Sequence, residues 1–250
     1  QPMGFYAPAT LVQDARRHGV EVRPVDVVFS TWDNRIEVGQ GGAPVVRLGL
    51  RQVRGLSSAS RAALQAAMEG GPLGSLDELV HRADLVGMRD HVLVTLARAG
   101  GFRTLWPGRR EALWEVLKRL RERHMSLDLR TEERAPTRLP SMSALEETRA
   151  DYATLGLSHR HHPMTFHRAS LDSRGVLGSS GLACVPHGQV VRVAGIAICR
   201  QRPGSAKGVL FMTLEDEDGM INVVVMPDVF HAHRLLIATT PALEVRGTLE

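Results

Sequence analysis

The sequence predicts a multidomain chain of mixed α and β class, helical first and β last. Three observations carry this. From residue 47 to about 125 apolar residues recur at helical spacing, punctuated by glycine pairs. At Gln189 the period changes to two, and Val and Ile become frequent. Before that change, SLDLRTEERAPTRLP at 126–140 carries mixed charge and two prolines, which predicts a linker or surface crossing.

Taken in order, ATLVQDARRHGVEVRP predicts a helix from about Pro8 to His18. Gly19 stops it at the C′ position, and a short extended piece follows before Pro24. The rest of 1–46 reads as loops, with GQGGAP at 39–44 as a glycine-rich hairpin or linker. RLGLRQVRGLSSASRAALQAAMEGG predicts a short helix, a tight turn at Gly55, and a second helix ending at Gly70-Gly71. SLDELVHRA opens with a capping box, Ser75 to Glu78. RDHVLVTLARAGGF is a helix closed by Gly100-Gly101. In GRREALWEVLKRLRERH, Leu113, Leu117 and Leu120 form an apolar stripe joined by Trp114 and Val116. ALEETRADYATLGL at 144–157 is a further helix ended by its glycine, and a helix-like piece runs on to about Asp172.

QVVRVAGIAICRQ, GVLFMTLED, MINVVVMP and ALEVRGTL read as strands. EDEDGM joins the second to the third as an Asp-Gly hairpin. PDVFHAHRLLIA is a helix inserted before the fourth. Three strands, a helix and a strand is the order of an OB-fold barrel, which has five strands. The expectation is an OB-fold truncated after its fourth strand.

A chain of 250 residues has room for one large or two small cores, and an apolar share of 43% is that of a globular protein. No stretch approaches the roughly 20 apolar residues that span a bilayer. QPMGFYAPAT lacks the pattern of a signal peptide and does not begin with Met, so the chain reads as a fragment of something longer. Cys184 and Cys199 are the only cysteines, with no C-x-x-C, which argues against a disulfide framework or structural zinc and for a reducing cytoplasm. The net charge of +4 is compatible with nucleic acid. It comes almost wholly from arginine, Lys118 and Lys207 being the only lysines. Arginine suits bidentate phosphate contact, and a biased genome composition explains it equally well.

Four patterns could carry chemistry. Asp216-Glu217-Asp218 has the D-x-D spacing that grips Mg²⁺ when alternate strand residues share a face. It lies at a D-G turn, where Asp is favoured for local hydrogen bonds, and the turn is the reading adopted. His159, His161, His162 and His167 lack the spacing of a metal site, so a helix end explains them. Hydrolase and kinase signatures are absent, so no catalytic and no metal-ligating residue is assigned. VRGLSSASRAAL resembles a helix-hairpin-helix, whose backbone amides meet phosphate. Gly55, Leu56, Ser57 and Ser58 would form the hairpin, with Arg54 and Arg61 flanking it. LARAGGFRTLWPGRREAL could be a second such unit, with Arg103, Arg109 and Arg110. Residues 47–134 hold sixteen basic against eleven acidic residues, where duplex contact needs them. On the barrel, Arg200, Arg202 and Lys207 would rim the binding face, with Phe211 available to stack a base. Residues 189–250 hold six basic against seven acidic residues, so only a local patch could bind, and a protein-interaction or spacer module is the competing reading.

With those pieces in order, the chain resembles the bacterial C-family DNA polymerases, the DNA polymerase III alpha subunit family. QPMGFYAPATLVQDARRHGVEVRPVDVVFSTWD is similar to the end of the fingers region. RLGLRQVRGLSSASRAALQAA, SLDELVHRADL and LARAGGF are similar to its tandem helix-hairpin-helix part. DYATLGLSHRHHPM resembles the segment before the OB domain, and RVAGIAICRQRPGSAKGVLFMTLEDEDGMINVVVMPDVF the OB domain itself. The latter is most like the error-prone, damage-inducible paralogue.

The resemblance implies four segments: 1–46, the end of the fingers; 47–125, a tandem helix-hairpin-helix DNA-binding domain; 126–188, a helical connector; and 189–250, the OB-fold. It implies a parent that performs Mg²⁺-dependent nucleotidyl transfer in translesion synthesis and DNA repair, with the catalytic palm and its Mg²⁺ outside this chain. The chain alone is then inactive and needs no cofactor. It would bind the primer–template duplex at Arg54 to Ser58 and the single-stranded template at Arg200, Arg202, Lys207 and Phe211. An accessory Y-family-like mutagenesis protein would recruit the parent and reach the sliding clamp for it, since no clamp-binding peptide occurs between 120 and 190. The rival readings are a non-enzymatic DNA-binding or assembly module of a damage-tolerance complex, the tail of a replicative alpha subunit, and, more distantly, an OB-type tRNA-binding protein.

Overall fold

PATLVQDARR forms the first helix, α1 (Pro8–Arg17), with Pro8 in its first turn and Gly19 beyond its end at a φ of +78°. The structure is a computed structural model that describes residues 6–124 and 139–250. The expected linker at 126–140 therefore lies largely outside the described residues. The chain divides into two compact units: residues 20–159, and residues 1–19 together with 160–250. α1 thus belongs with the second half of the chain. Among the described residues no helix is long and apolar enough to cross a membrane.

The 20–159 unit opens with a small sheet, of which the sequence suggested only the extended piece before Pro24 and a hairpin or linker at 39–44. β1 (Glu21–Arg23) runs parallel to β3 (Pro44–Arg47), and β2 (Arg35–Val38) pairs antiparallel with β3 on its other side. GQGGAP is the turn of the β2–β3 hairpin. Glu37 accepts from Arg47 and Arg35, and from Arg23 at 3.0 Å. These guanidinium groups, Arg47 first, hold its carboxyl down to about 2. The short helix expected before Gly55 is only a 3₁₀ turn, Leu50–Gln52, because just three residues separate Gly49 from the bend.

Helices α2 (Ser58–Met68), α3 (Leu76–Leu85), α4 (Asp90–Arg98), α5 (Arg109–His124) and α6 (Ala144–Leu155) follow. Ser57, Ser75 and Ser143 cap α2, α3 and α6, each accepting from an amide three residues on. At Ser143 the capping box is complete. At Ser75 it is half made, because Glu78 turns to the Gly74 amide at 2.8 Å instead. Leu64, Leu79, Leu93, Leu96 and Phe102 are fully buried in the core. On α5 the expected Val116 and Leu120 are buried together with Ala112, whereas Trp114 and Leu117 are half exposed.

The other unit is built on one antiparallel sheet. α7 (Arg168–Asp172) precedes β4 (Val190–Gln201), β5 (Leu210–Glu215) and β6 (Met220–Val225). Then come α8 (Pro227–Ala232), α9 (Arg234–Thr239) and β7 (Ala242–Thr248). A break at His233 divides the single helix expected there into two. The spatial order β7-β4-β5-β6 is the Greek-key order 4-1-2-3, as expected for the first four strands of an OB-fold. Leu210, Met212 and Leu214 alternate inward against Val193, Ile221, Phe230 and Leu243, so Phe211 and Thr213 face outward.

Candidate nucleic-acid interface

The bend after the 3₁₀ turn is held from both sides. Val53 is buried beneath it, and the Arg54 amide donates to Thr154 O at 2.8 Å. The Arg54 guanidinium donates to Tyr152 O at 3.2 Å, so it neutralises carbonyls at the C-terminal end of α6. Gly55 takes a φ of +92°, which side chains resist, and turns the chain into α2. Ser57 Oγ accepts from the Ser60 amide at 3.3 Å. The amides of Gly55, Ser57, Ser58 and Ala59 donate to no group among the described residues, and all four residues are exposed. α2 has no acidic residue in its first turn. One turn further in, the Arg61 guanidinium lies 5.7 Å from the Trp32 ring centroid. Trp32 sits on a loop laced to the 3₁₀ turn by Leu50 N to Thr31 O at 2.9 Å and Arg51 N to Trp32 O at 3.0 Å. Sequence reasoning missed Trp32; a lone tryptophan in the polar stretch STWDN was its one signal.

The second glycine bend is differently placed. Several of its amides are used within the unit: Gly100 and Gly101 donate to Ala97 O and Leu96 O, and Thr104 donates to Asp26 Oδ2 at 3.0 Å. The three arginines assigned to it all meet α6. Arg103 pairs with Glu147 at 2.8 Å, Arg110 with Glu146 at 3.1 Å, and Arg109, 6% exposed, with the buried Asp151. Among the described residues of the two bends, exposed residues whose amides have no acceptor occur at the first bend and not at the second.

On the barrel sheet the four assigned residues separate. Arg200 donates through Nε to Ile237 O at 2.7 Å and through Nη2 to Thr240 O, clamping the C-terminal end of α9. Arg202 stacks on Phe230 at 4.7 Å and donates to Gly208 O at 3.2 Å. Lys207 is exposed at a φ of +47°. Phe211, 43% exposed, lies beside Gln201 and Val224 on the outer face.

The acidic stretch is a turn scaffold. Asp216 is fully buried and accepts from the amides of Ser179, Asp218 and Gly219 and from the Ser179 hydroxyl, at 2.6–3.0 Å. Glu217 pairs with Arg168, and Asp218 accepts from the Ser180 hydroxyl at 2.6 Å. Carboxylates so occupied and so divergent do not fit a metal pair. Among the described residues no group of three or more His, Cys, Asp or Glu could hold an ion. His161 packs edge-on against Phe166, and His162 Nδ1 accepts from the Met164 amide at 3.2 Å.

His162 belongs to a buried cluster with Glu215 at 3.9 Å, and Arg17 of α1 donates to Glu215 at 3.2 Å. Burial lowers the His162 pKa to about 4 and pushes the Glu215 carboxyl up. A neutral buried histidine contributes stability that is full above its unfolded value near 6.5 and is lost as the pH falls toward about 4. Glu215, which takes a proton more readily when folded, returns part of it at the acid end. Between pH 6.5 and 5 the unit should therefore lose about 2 kcal/mol, read from urea titrations of β4–β7 amide signals. His162→Gln should flatten that slope; an unchanged slope would assign it to another group.

A helix-hairpin-helix motif family model matches residues 19–112. Along its whole length the chain is 44% identical to an error-prone DNA polymerase of Anaeromyxobacter sp. (strain K), of which it covers 22%. It is 46% identical to that of Alkalilimnicola ehrlichii, covering 24%. Over 99% of the chain it is 41% identical to that of Burkholderia pseudomallei, covering 23%. It thus spans less than a quarter of the length of these relatives.

Proposed function

We propose that this chain, homologous along its whole length to part of the error-prone DNA polymerases, is the DNA-handling C-terminal portion of such an enzyme. One observation carries the reading: the row of exposed amides at Gly55, Ser57, Ser58 and Ala59, without an acceptor among the described residues and opening a helix with no acid in its first turn. A phosphate of the primer–template duplex fits there, with Arg61, steadied on Trp32, as the flanking cation. Such contact reads no sequence and is salt-sensitive. On the barrel, Lys207, Phe211 and Arg202 are the residues for a single-stranded template, by stacking worth about 1–3 kcal/mol per base. Arg200 serves that face indirectly, by holding α9. The parent would perform Mg²⁺-dependent nucleotidyl transfer in the cytoplasm, in translesion synthesis and repair. Its palm supplies the metal-binding carboxylates, so this chain alone is inactive. A Y-family-like partner would connect it to the sliding clamp.

The test is fluorescence anisotropy with a labelled primer–template duplex across a salt series. Arg61→Ala should weaken binding several-fold and reduce the salt slope by about 0.9, one phosphate contact. Ser58→Glu puts a carboxylate where the phosphate would sit, yet suits the start of a helix. It should abolish duplex binding without lowering the Tm. Full binding by Ser58→Glu would remove the hairpin from DNA contact.

A further inference from the structure

Among the described residues, strand β4 has a stretch of edge that no other strand pairs with. It pairs with β7 from Val190 to Ile196, but β5 reaches only Ile196 to Gln201 on its other side. Leu177 closes part of the gap through a single parallel bridge to Val193, its amide donating to Arg192 O at 2.8 Å. That bond shows which way the strand's polar groups point. Arg192 turns its carbonyl away from β7, so Arg192↔Arg246 is a non-hydrogen-bonded pair, and by alternation so is Val190↔Thr248. The N–H and C=O of Val190 therefore face the open side, without a partner among the described residues.

A cleft of about 700 Å³ lies along this edge, lined by Gly175, Leu177, Val185, Val190, Arg192 and Arg246. Val190 is 60% exposed. Arg192 and Arg246 stand directly opposite each other, where like charges repel. Arg192 turns aside to Glu244 at 3.0 Å, which also takes Arg174 at 3.1 Å. Arg246 is exposed and makes no ion pair among the described residues. Arg174 and Arg192 thus share one carboxylate, and Arg246 beside them has none among the described residues.

We infer that this cleft is a docking site for an extended acidic peptide segment of a partner protein, which adds a strand to the open edge of β4 at Val190. Backbone pairing with Val190 gives the affinity, Leu177, Val185 and Val190 receive alternate apolar side chains, and Arg246 takes a carboxylate. A single-stranded nucleic acid is the poorer fit, because no aromatic ring lines the cleft to stack a base. The site is separate from the hairpin and does not depend on the DNA-binding reading.

The experiment is a ¹H–¹⁵N titration of this chain with a blocked hexapeptide alternating Asp and Val, its Lys-Val counterpart, and a twelve-residue oligothymidylate. The acidic peptide should shift the amides of Leu177, Val190 and Arg192, and the Lys-Val peptide should not. Arg246→Glu should weaken the acidic peptide at least tenfold and admit the basic one. Val190→Pro removes an amide that no ladder bond uses, so it should leave the spectrum of the sheet intact and abolish peptide binding. Unmoved amides with the acidic peptide would overturn the proposal. So would shifts produced by the oligothymidylate alone and lost in Arg246→Glu, which would make the cleft a nucleic-acid site.

Discussion

Replacing Asp151 by alanine should cost the 20–159 unit about 3–5 kcal/mol, the range for breaking a buried ion pair by removing one partner. Asp151 is 1% exposed and Arg109 6%. Asp151 binds Arg109 through one oxygen and accepts from the Ser158 hydroxyl at 3.0 Å through the other. Arg109 adds a bond to Glu147 O at 3.2 Å. Without the carboxylate, the buried guanidinium between α5 and α6 keeps only the Glu147 carboxylate, 3.5 Å from its Nε, and carbonyl oxygens as partners. Trp32, Trp106 and Trp114 all lie in this unit, so urea unfolding followed by tryptophan fluorescence reports on it alone. Asp151→Asn, which keeps the shape and an acceptor, should lose less. The double change Arg109→Met with Asp151→Leu should recover most of the loss, because it removes both charges together. A loss below about 1 kcal/mol for Asp151→Ala would mean that the pair is hydrated and the dry-pair argument is wrong. The pair also bears on function. With Arg103, Arg109 and Arg110 held by α6, the folded double variant should bind duplex DNA as the parent sequence does. A drop would return the second bend to the interface.

The elements that could be read from the sequence are those with local causes. Ser57, Ser75 and Ser143 announce helix starts because capping needs only a side-chain oxygen and a nearby amide. The four barrel strands show because one face of each is buried, which enforces alternation. The β1–β3–β2 sheet showed only as an extended piece and a possible hairpin: its strands are three or four residues long, and the register Val22↔Val46 is a non-local pairing. The α5 stripe was right at Val116 and Leu120 and wrong at Trp114 and Leu117, which look like core residues, while the packed face uses the smaller Ala112. The site residues divide in the same way. Gly55 to Ser58 are fixed by local turn geometry and form the bend before α2. An arginine carries no such mark. Arg61 reaches outward, Arg54 and Arg200 cap helix carbonyls, and Arg109 is buried, because a guanidinium fork suits carbonyls and carboxylates as well as phosphates.

Gly49→Ala should be the most damaging single methyl in the molecule, at about 3 kcal/mol or more, the upper end of overpacking costs. The backbone conformation is not the reason: φ is −82° and ψ 156°, which alanine adopts freely. Space is the reason. A Cβ there would lie 2.5 Å from Trp32 O and 2.6 Å from Asn34 N. Both are backbone atoms, and neither can swing aside as a side chain could. Relief requires the 31–34 loop to lift. That would break the bonds from Leu50 to Thr31 and from Arg51 to Trp32, and the 2.8 Å bond from the Gly49 amide to Asn34 Oδ1. Trp32 would leave Arg61, and the 3₁₀ turn that sets up the hairpin would lose its anchor. Gly49→Ala should therefore weaken duplex binding more than Arg61→Ala does, although residue 49 presents nothing to DNA. Gly74→Ala is the control, since a Cβ there meets only the flexible Glu78 carboxylate at 3.5 Å. It should leave both Tm and affinity in place. If Gly49→Ala keeps its Tm but loses DNA binding, residue 49 touches DNA itself and is not a support. If it keeps both, the loop is not packed against residue 49, and the proposed steadying of Arg61 by Trp32 goes with it.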